Sequence, residues 1–188
     1  MRGILMKFDF EKLSKEDSHK IRQNFIDMFV DTSHDLFVKY IRDVKADDIW
    51  EGYGHIASYL FACLKNSVSH KEYTSKAFEY LNGLNNNDTL FVMFDVRPAK
   101  RIYPDGCRSI AEPYTKYFDS DMVLRIKADD LYNVLMHDYN SPVGNQIFGE
   151  DVYVFEPSFK WYIAFTHNSF VDDQGSECGQ YCYSNITL

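Results

Sequence analysis

The chain has 188 residues, of which 45% are hydrophobic and 16% aromatic, so it can bury one core without disulfides or metal. Its net charge of −8 argues against a nucleic-acid binder that neutralises phosphates with a broad basic face. Its longest near-apolar run, residues 56–64, is about half of what a membrane helix needs, and its start lacks the apolar stretch of a secretory signal. With four cysteines, too few for a disulfide framework, the sequence predicts a single cytoplasmic domain, residues 1–188.

The first part of the chain has the apolar spacing of helices. Ser14 suits a helix N-cap, and Ile21 and Phe25 follow it at helical spacing. Two further amphipathic segments, at about residues 35–44 and 47–64, predict a second and a third helix.

A fourth helix has the clearest start and end signals. Ser69 and Glu72 have the spacing of a capping box, in which each side chain binds the backbone at the other residue. Tyr73, Ala77, Tyr80 and Leu81 then form an apolar stripe, and Asn82-Gly83 is typical of a helix end. The pattern predicts a helix from about residue 69 to residue 82.

Strand signals begin after residue 88. Apolar runs at residues 89–94 and 122–126 have strand length, and the stretch between them, residues 97–120, is rich in turn residues. A short helix is predicted at residues 128–137, because Asp129 and Asp130 suit the positive end of a helix dipole.

Residues 151–155 and 160–166 form the clearest hairpin, with Pro157 in the connecting turn. Both faces of the second strand are mostly apolar, since Trp161, Ile163 and Phe165 alternate with Tyr162, Ala164 and Thr166. This strand is therefore predicted to be central and covered on both sides, and the tail at residues 181–188 is predicted to add an edge strand. Helices first and strands later favour an α+β fold with N-terminal helices packed on a mostly antiparallel sheet formed by the C-terminal half.

A search for catalytic and metal-binding patterns finds only incomplete ones. Cys107 precedes Arg108, which would lower the thiol pKa, but the sequence offers no specific partner base. His167, Cys178 and Cys182 provide at most three soft ligands, short of the four of a structural zinc site. We therefore predict a protein that is not an enzyme, with no catalytic residue, metal or cofactor.

Acidic residues concentrate in the last third of the chain. Residues 128–188 hold nine acidic residues and one basic residue, Lys160, whereas residues 97–127 have a net charge of +3. The acidic third is also rich in Tyr, Phe and Trp. Acidic residues beside aromatic side chains favour binding to a basic protein. The negative charge attracts the partner at long range, and the aromatic rings anchor it once the surfaces are in contact. The alternative is a solvated acidic face that aids solubility.

The closing hairpin resembles a known family. Residues 151–155, the Pro157 turn and the run Phe159-Lys160-Trp161 through Thr166-His167 resemble the C-terminal element of small bacterial immunity proteins of contact-dependent growth inhibition and other polymorphic toxin systems. Asn168 stands where such families often have an acidic residue. The resemblance implies an antitoxin that binds and neutralises a cognate protein toxin domain, frequently a basic nuclease. From the apolar runs and the charge, neither a membrane nor a nucleic acid is expected as a partner.

The predicted partner contacts are acidic or tyrosine residues that are expected to be exposed. They are Asp129, Asp130, Tyr139, Glu150, Asp172, Asp173, Glu177 and Tyr181. Two alternatives stay open at this point: an enzyme of unfamiliar type that uses Cys107 or His167, and a nucleic-acid or regulatory binding module that uses the basic patch at residues 97–108.

Overall fold

The structure is a computed structural model that describes most of the chain. The described residues are 8–35, 37, 60–70, 73–94, 122–141, 146–148, 151–171 and 173–188, with side chains placed at all of these except 70, 73–75, 167–171, 177 and 178. The described helices are α1 Lys15–Phe29, α2 Tyr73–Asn82 and α3 Ala128–Tyr139, with a 3₁₀ turn at Leu60–Cys63. The described strands are β1 Phe10–Lys12, β2 Val68–His70, β3 Thr89–Phe94, β4 Val123–Lys127, β5 Val152–Phe155, β6 Tyr162–Val171 and β7 Glu177–Ser184.

These strands form one seven-stranded sheet with the order β1-β4-β3-β5-β6-β7-β2. Each neighbouring pair in this order is antiparallel. The predicted α+β class with a mostly antiparallel sheet is confirmed. The strands come mainly from the second half of the chain, while β1, β2 and β3 come from the first half, and β1 and β2 were not predicted. Three residues each are too few to show a period of two in the sequence.

Helices cover both faces of the sheet. On one face α1 buries Phe25 and Phe29 against inward-facing side chains of the central strands, such as Tyr153. On the other face α2 and α3 pack on the alternate residues of the same strands. The central sheet is thus the shared wall of two apolar cores.

The prediction for β6 is confirmed. Ile163 and Phe165 belong to the core under α2 and α3, whereas Tyr162 and Ala164 belong to the core under α1. β6 lies between β5 and β7, as a strand with two apolar faces should. The turn before it places Phe159 at a positive φ of 54°, and the Phe159 amide donates to the Glu156 carbonyl.

The start of α1 is also confirmed. The Asp17 amide donates to the Ser14 hydroxyl oxygen at 3.0 Å, which is the predicted N-cap bond. Further along α1 the buried Arg22 guanidinium donates to the Phe94 carbonyl at 2.8 Å and so ties the helix to the end of β3.

The predicted start of the fourth helix is wrong. Ser69 lies in β2, where it pairs with Tyr183 of β7, and α2 begins only at Tyr73. Sheet pairing with a distant segment satisfies the backbone of Ser69, so the local capping signal is overridden. The predicted end is correct, since the Gly83 amide donates to the Glu79 and Tyr80 carbonyls.

Two other predictions need correction. The tail was expected to add an edge strand from residue 181, yet β7 begins at Glu177 and lies between β6 and β2. The predicted third helix ends as the 3₁₀ turn Leu60–Cys63. The remainder of that helix, nearly all of the second predicted helix and the turn-rich stretch 97–120 lie outside the described residues.

Candidate functional site

Helix α3 positions two of the predicted contacts. The helix follows β4 without a break, and the Ala128 amide donates to the Asp88 carbonyl at 2.9 Å where the strand ends. The N-cap residue, Lys127, makes no side-chain capping bond, and Asp129 and Asp130 supply the negative charge that the helix dipole favours in the first turn. Asp129 is exposed and Asp130 is half-buried.

A groove of about 460 Å³ runs along the outer face of α3. It is open enough to admit a side chain of another molecule. Its lining residues are Phe8, Asp130, Asn133, Met136, His137, Asn140 and Ser141. Positions 130, 133, 137 and 140 share one helix face because they are three or four residues apart. The acidic start of α3 therefore opens onto a groove that combines polar and apolar walls.

The buried carboxylate of Asp138 holds the far end of the groove in place. It accepts hydrogen bonds from the amides of Ile147 and Phe148, at 2.6 Å each, and its Oδ1 atom lies 3.2 Å from His137 Nδ1. The side-chain amide of Gln146 donates to the Asp138 carbonyl. Asp138 thus orients the His137 ring that lines the groove and fixes the segment whose Ile147 and Phe148 side chains fill the core below it.

Tyr139 lies at the opposite end of α3 from Asp129. Ten residues at 1.5 Å each place the two roughly 15 Å apart. The Tyr139 side chain is 54% exposed, and its ring meets the edge of Phe78 on α2. Tyr139 is therefore accessible as an aromatic contact, but it lies at the other end of α3 from Asp129 and Asp130.

Asp173 and Tyr181 lie on a third part of the surface. β6 pairs with β5 only as far as Phe165, and β7 pairs with β2 only from Cys182 onward. Among the described residues, the parts of β6 and β7 beyond those points pair with each other, and form a ribbon that extends past the sheet. Asp173 is exposed in the turn of this ribbon, and Tyr181 contacts Tyr183 on the face that α1 covers.

The structure therefore brings Asp129 and Asp130 together and separates them from Tyr139, Asp173 and Tyr181. Glu150 and Asp172 lie outside the described residues, as does the side chain of Glu177. The same is true of Cys107, of the basic patch at 97–108 and of the His167 side chain, on which the two alternative hypotheses depend.

The two thiols that the structure describes are buried. Burial raises the pKa of the Cys182 thiol to about 12, so this thiol is protonated at neutral pH and is a poor nucleophile or metal ligand. Cys63 is buried with its Sγ atom 3.8 Å from His34 Nδ1. Within the described ranges, no group of three or more His, Cys, Asp or Glu side chains has the arrangement of a metal site. No helix in those ranges has the length and apolar character to cross a membrane.

Most of the groove residues were missed in the sequence. Asn133, His137 and Asn140 share the helix face of Asp130, so their spacing was a usable signal once α3 had been predicted. Phe8 carried no such signal, because it reaches the groove from a segment 122 positions earlier in the chain than Asp130.

Comparison with known proteins adds no relative. The chain matches no family model, no curated protein and no solved structure at a significant level.

Proposed function

We propose that this protein is an immunity protein, an antitoxin that binds a cognate toxin domain in the cytoplasm and covers its active surface. The proposed target is a basic nuclease, whose substrate-binding cleft would attract an acidic protein. The resemblance of residues 151–167 to the closing hairpin of bacterial immunity proteins supports this assignment. Because most of that hairpin is buried in the sheet, it suggests the class of protein rather than the contact residues.

One observation carries the proposal: the exposed acidic start of α3 borders an open groove. Asp129 and Asp130 are both accessible there, and no Lys or Arg side chain lines the groove among the described residues. A basic partner would be attracted to this end of α3 at long range and would find a concave surface at contact.

Burial removes two of the late acidic residues from the surface that a partner could contact. Of the nine acidic residues in the last third, Asp138 and Asp151 are buried. Asp138 binds backbone amides and so serves the fold. The surface available to a partner is therefore less acidic than the composition alone indicates, and the start of α3 becomes more important.

Co-expression tests the proposal. An immunity gene is expected directly after the reading frame of its toxin, so that toxin domain is expressed in bacteria with and without this chain. We expect growth to be rescued and the two proteins to copurify at low salt. Loss of growth in the presence of this chain, with no copurification, would refute the assignment.

A charge reversal in α3 locates the interface. Asp129→Lys should slow association with the toxin about fivefold at low salt, because a cation would then face a basic partner. Glu16→Lys is the matched control, since Glu16 is also an exposed carboxylate in the first turn of a helix, but on α1. Stopped-flow or surface-binding kinetics would measure both variants, and an equal effect of both would contradict an interface at α3.

A further inference from the structure

Two polar side chains that line the α3 groove are anchored to the helix by hydrogen bonds. The Asn133 side-chain amide donates to the Asp129 carbonyl at 2.8 Å, and that of Asn140 donates to the Met136 carbonyl at 2.7 Å. Each amide uses one of its two N–H groups in this bond, and its oxygen can accept a hydrogen bond from a ligand. Asn133 lies about one turn from Asp130, so its oxygen and the Asp130 carboxylate are acceptors at the same end of the groove, whereas Asn140 lies at the other end.

Asp138 holds the His137 ring in place. The ring Nδ1 atom lies 3.2 Å from a carboxylate oxygen of Asp138, and that carboxylate already accepts two backbone amides. Because a carboxylate accepts hydrogen bonds, Nδ1 is the donor in this contact, and the contact holds the ring in the wall of the groove.

The remaining walls are apolar. Phe8 approaches the His137 ring edge-on, with 6.3 Å between the ring centroids, and Met136 lies on the same helix face. A ligand that fits must therefore offer several donors at its tip, a positive charge for Asp130 and an aliphatic stem for Phe8 and Met136.

We propose that the groove binds an arginine side chain of the partner protein. A guanidinium is always charged, has five donors and no acceptor, and stacks on aromatic rings, whereas a lysine ammonium offers three donors at one point. An anionic side chain would be repelled by Asp130. This inference rests on the proposed function, because the arginine is taken to come from the toxin domain.

An NMR titration of the full chain tests the inference without the toxin. The probes are N-acetylarginine amide and N-acetylcitrulline amide, which has a similar shape but no charge. We expect the arginine probe to shift the amide signals of residues 130–141 and the citrulline probe to bind much more weakly. Equal binding of both probes, or shifts confined to other parts of the chain, would overturn the assignment.

Two variants and one control sharpen the titration. Asp130→Asn should raise the Kd of the arginine probe about tenfold or more, since the carboxylate charge that pairs with the guanidinium is lost. Phe8→Ala should raise it about threefold through loss of the aromatic wall. Glu16→Gln is the control, because Glu16 is an exposed carboxylate on α1 outside the groove, and its effect should stay within about twofold. Equal effects of Glu16→Gln and Asp130→Asn would point to general attraction rather than a groove.

The outcomes for the groove and for the toxin are separable. If the chain rescues growth and Asp130→Asn weakens neither rescue nor binding of the arginine probe, the groove inference fails while the proposed function stands. If the arginine probe binds in the groove but no toxin is neutralised, the chemistry of the groove is supported and the toxin assignment fails.

Discussion

At the scale of single residues, Asp138 connects the surface groove to the core. Asp138 is 4% exposed and its carboxylate accepts two backbone amides, so it is a buried charge held by hydrogen bonds. The same carboxylate orients His137 on the surface. A change at this position should therefore affect stability and the groove together.

Replacing this carboxylate tests its role in stability. Asp138→Asn should lower the free energy of unfolding by about 2 to 3 kcal/mol, because an amide offers one acceptor oxygen where two backbone donors are buried. Urea denaturation would measure the loss. Asp129→Asn on the same helix, where the side chain is exposed, should change stability by less than about 0.5 kcal/mol. Similar stabilities for the two variants would show that the hydrogen bonds of Asp138 contribute little.

At the scale of elements, β6 and β7 each have two parts with different surroundings. Residues 163–165 of β6 and 182–184 of β7 lie between β5 and β2 in the sheet. Beyond them, Ser169 pairs with Gln180 and Phe170 with Gly179, and the register shifts on both sides of these pairs. Such irregularities bend and twist a ribbon, and they are common at sheet edges and next to active sites.

Hydrogen exchange should separate the two parts. Paired amides of the ribbon beyond residue 166 should exchange at least about 100 times faster than those of residues 163–165, since a two-stranded ribbon opens locally while the central sheet exchanges only on larger unfolding. Amide NMR in deuterated water measures both sets in one sample. Equal protection along all of β6 would show that the ribbon opens only together with the sheet.

At the scale of the whole molecule, the two cores share one sheet. Phe25 of α1 contacts Tyr153, Phe155 and Tyr162 from one side, while Leu131 of α3 is fully buried on the other. Successive residues of each central strand contribute to different cores. Loss of either core should therefore disturb the backbone that supports the other.

Truncations in the two cores test this coupling. Phe25→Ala should cost about 3–5 kcal/mol and Leu131→Ala about 2–5 kcal/mol, through lost burial and the cavity left behind. Each variant should still unfold in one transition, with circular dichroism and Trp fluorescence coincident. Met28→Ala is the control on α1, because Met28 is 56% exposed and its loss should cost less than about 0.5 kcal/mol. Separate transitions for the two cores would contradict a shared sheet.

The sequence by itself was sufficient for features that depend on neighbours along the chain. The α+β class, the cap at Ser14, the hairpin around Pro157 and the two-sided burial of β6 follow from local spacing, turn residues and the alternation of side chains. The acidic start of α3 was predictable for the same reason, since the helix and its first-turn carboxylates are adjacent.

Tertiary structure alone decided the features that join distant segments. Ser69 became part of a strand because Tyr183 provides its backbone pairing, and β7 became internal because β2 covers its outer side. The groove exists because Phe8 packs beside His137. Asp138 is buried and adds nothing to the acidic surface, because its carboxylate binds the amides of Ile147 and Phe148. Backbone hydrogen bonds and buried charges must be satisfied wherever a partner lies in space, and the order of residues does not show where that partner is.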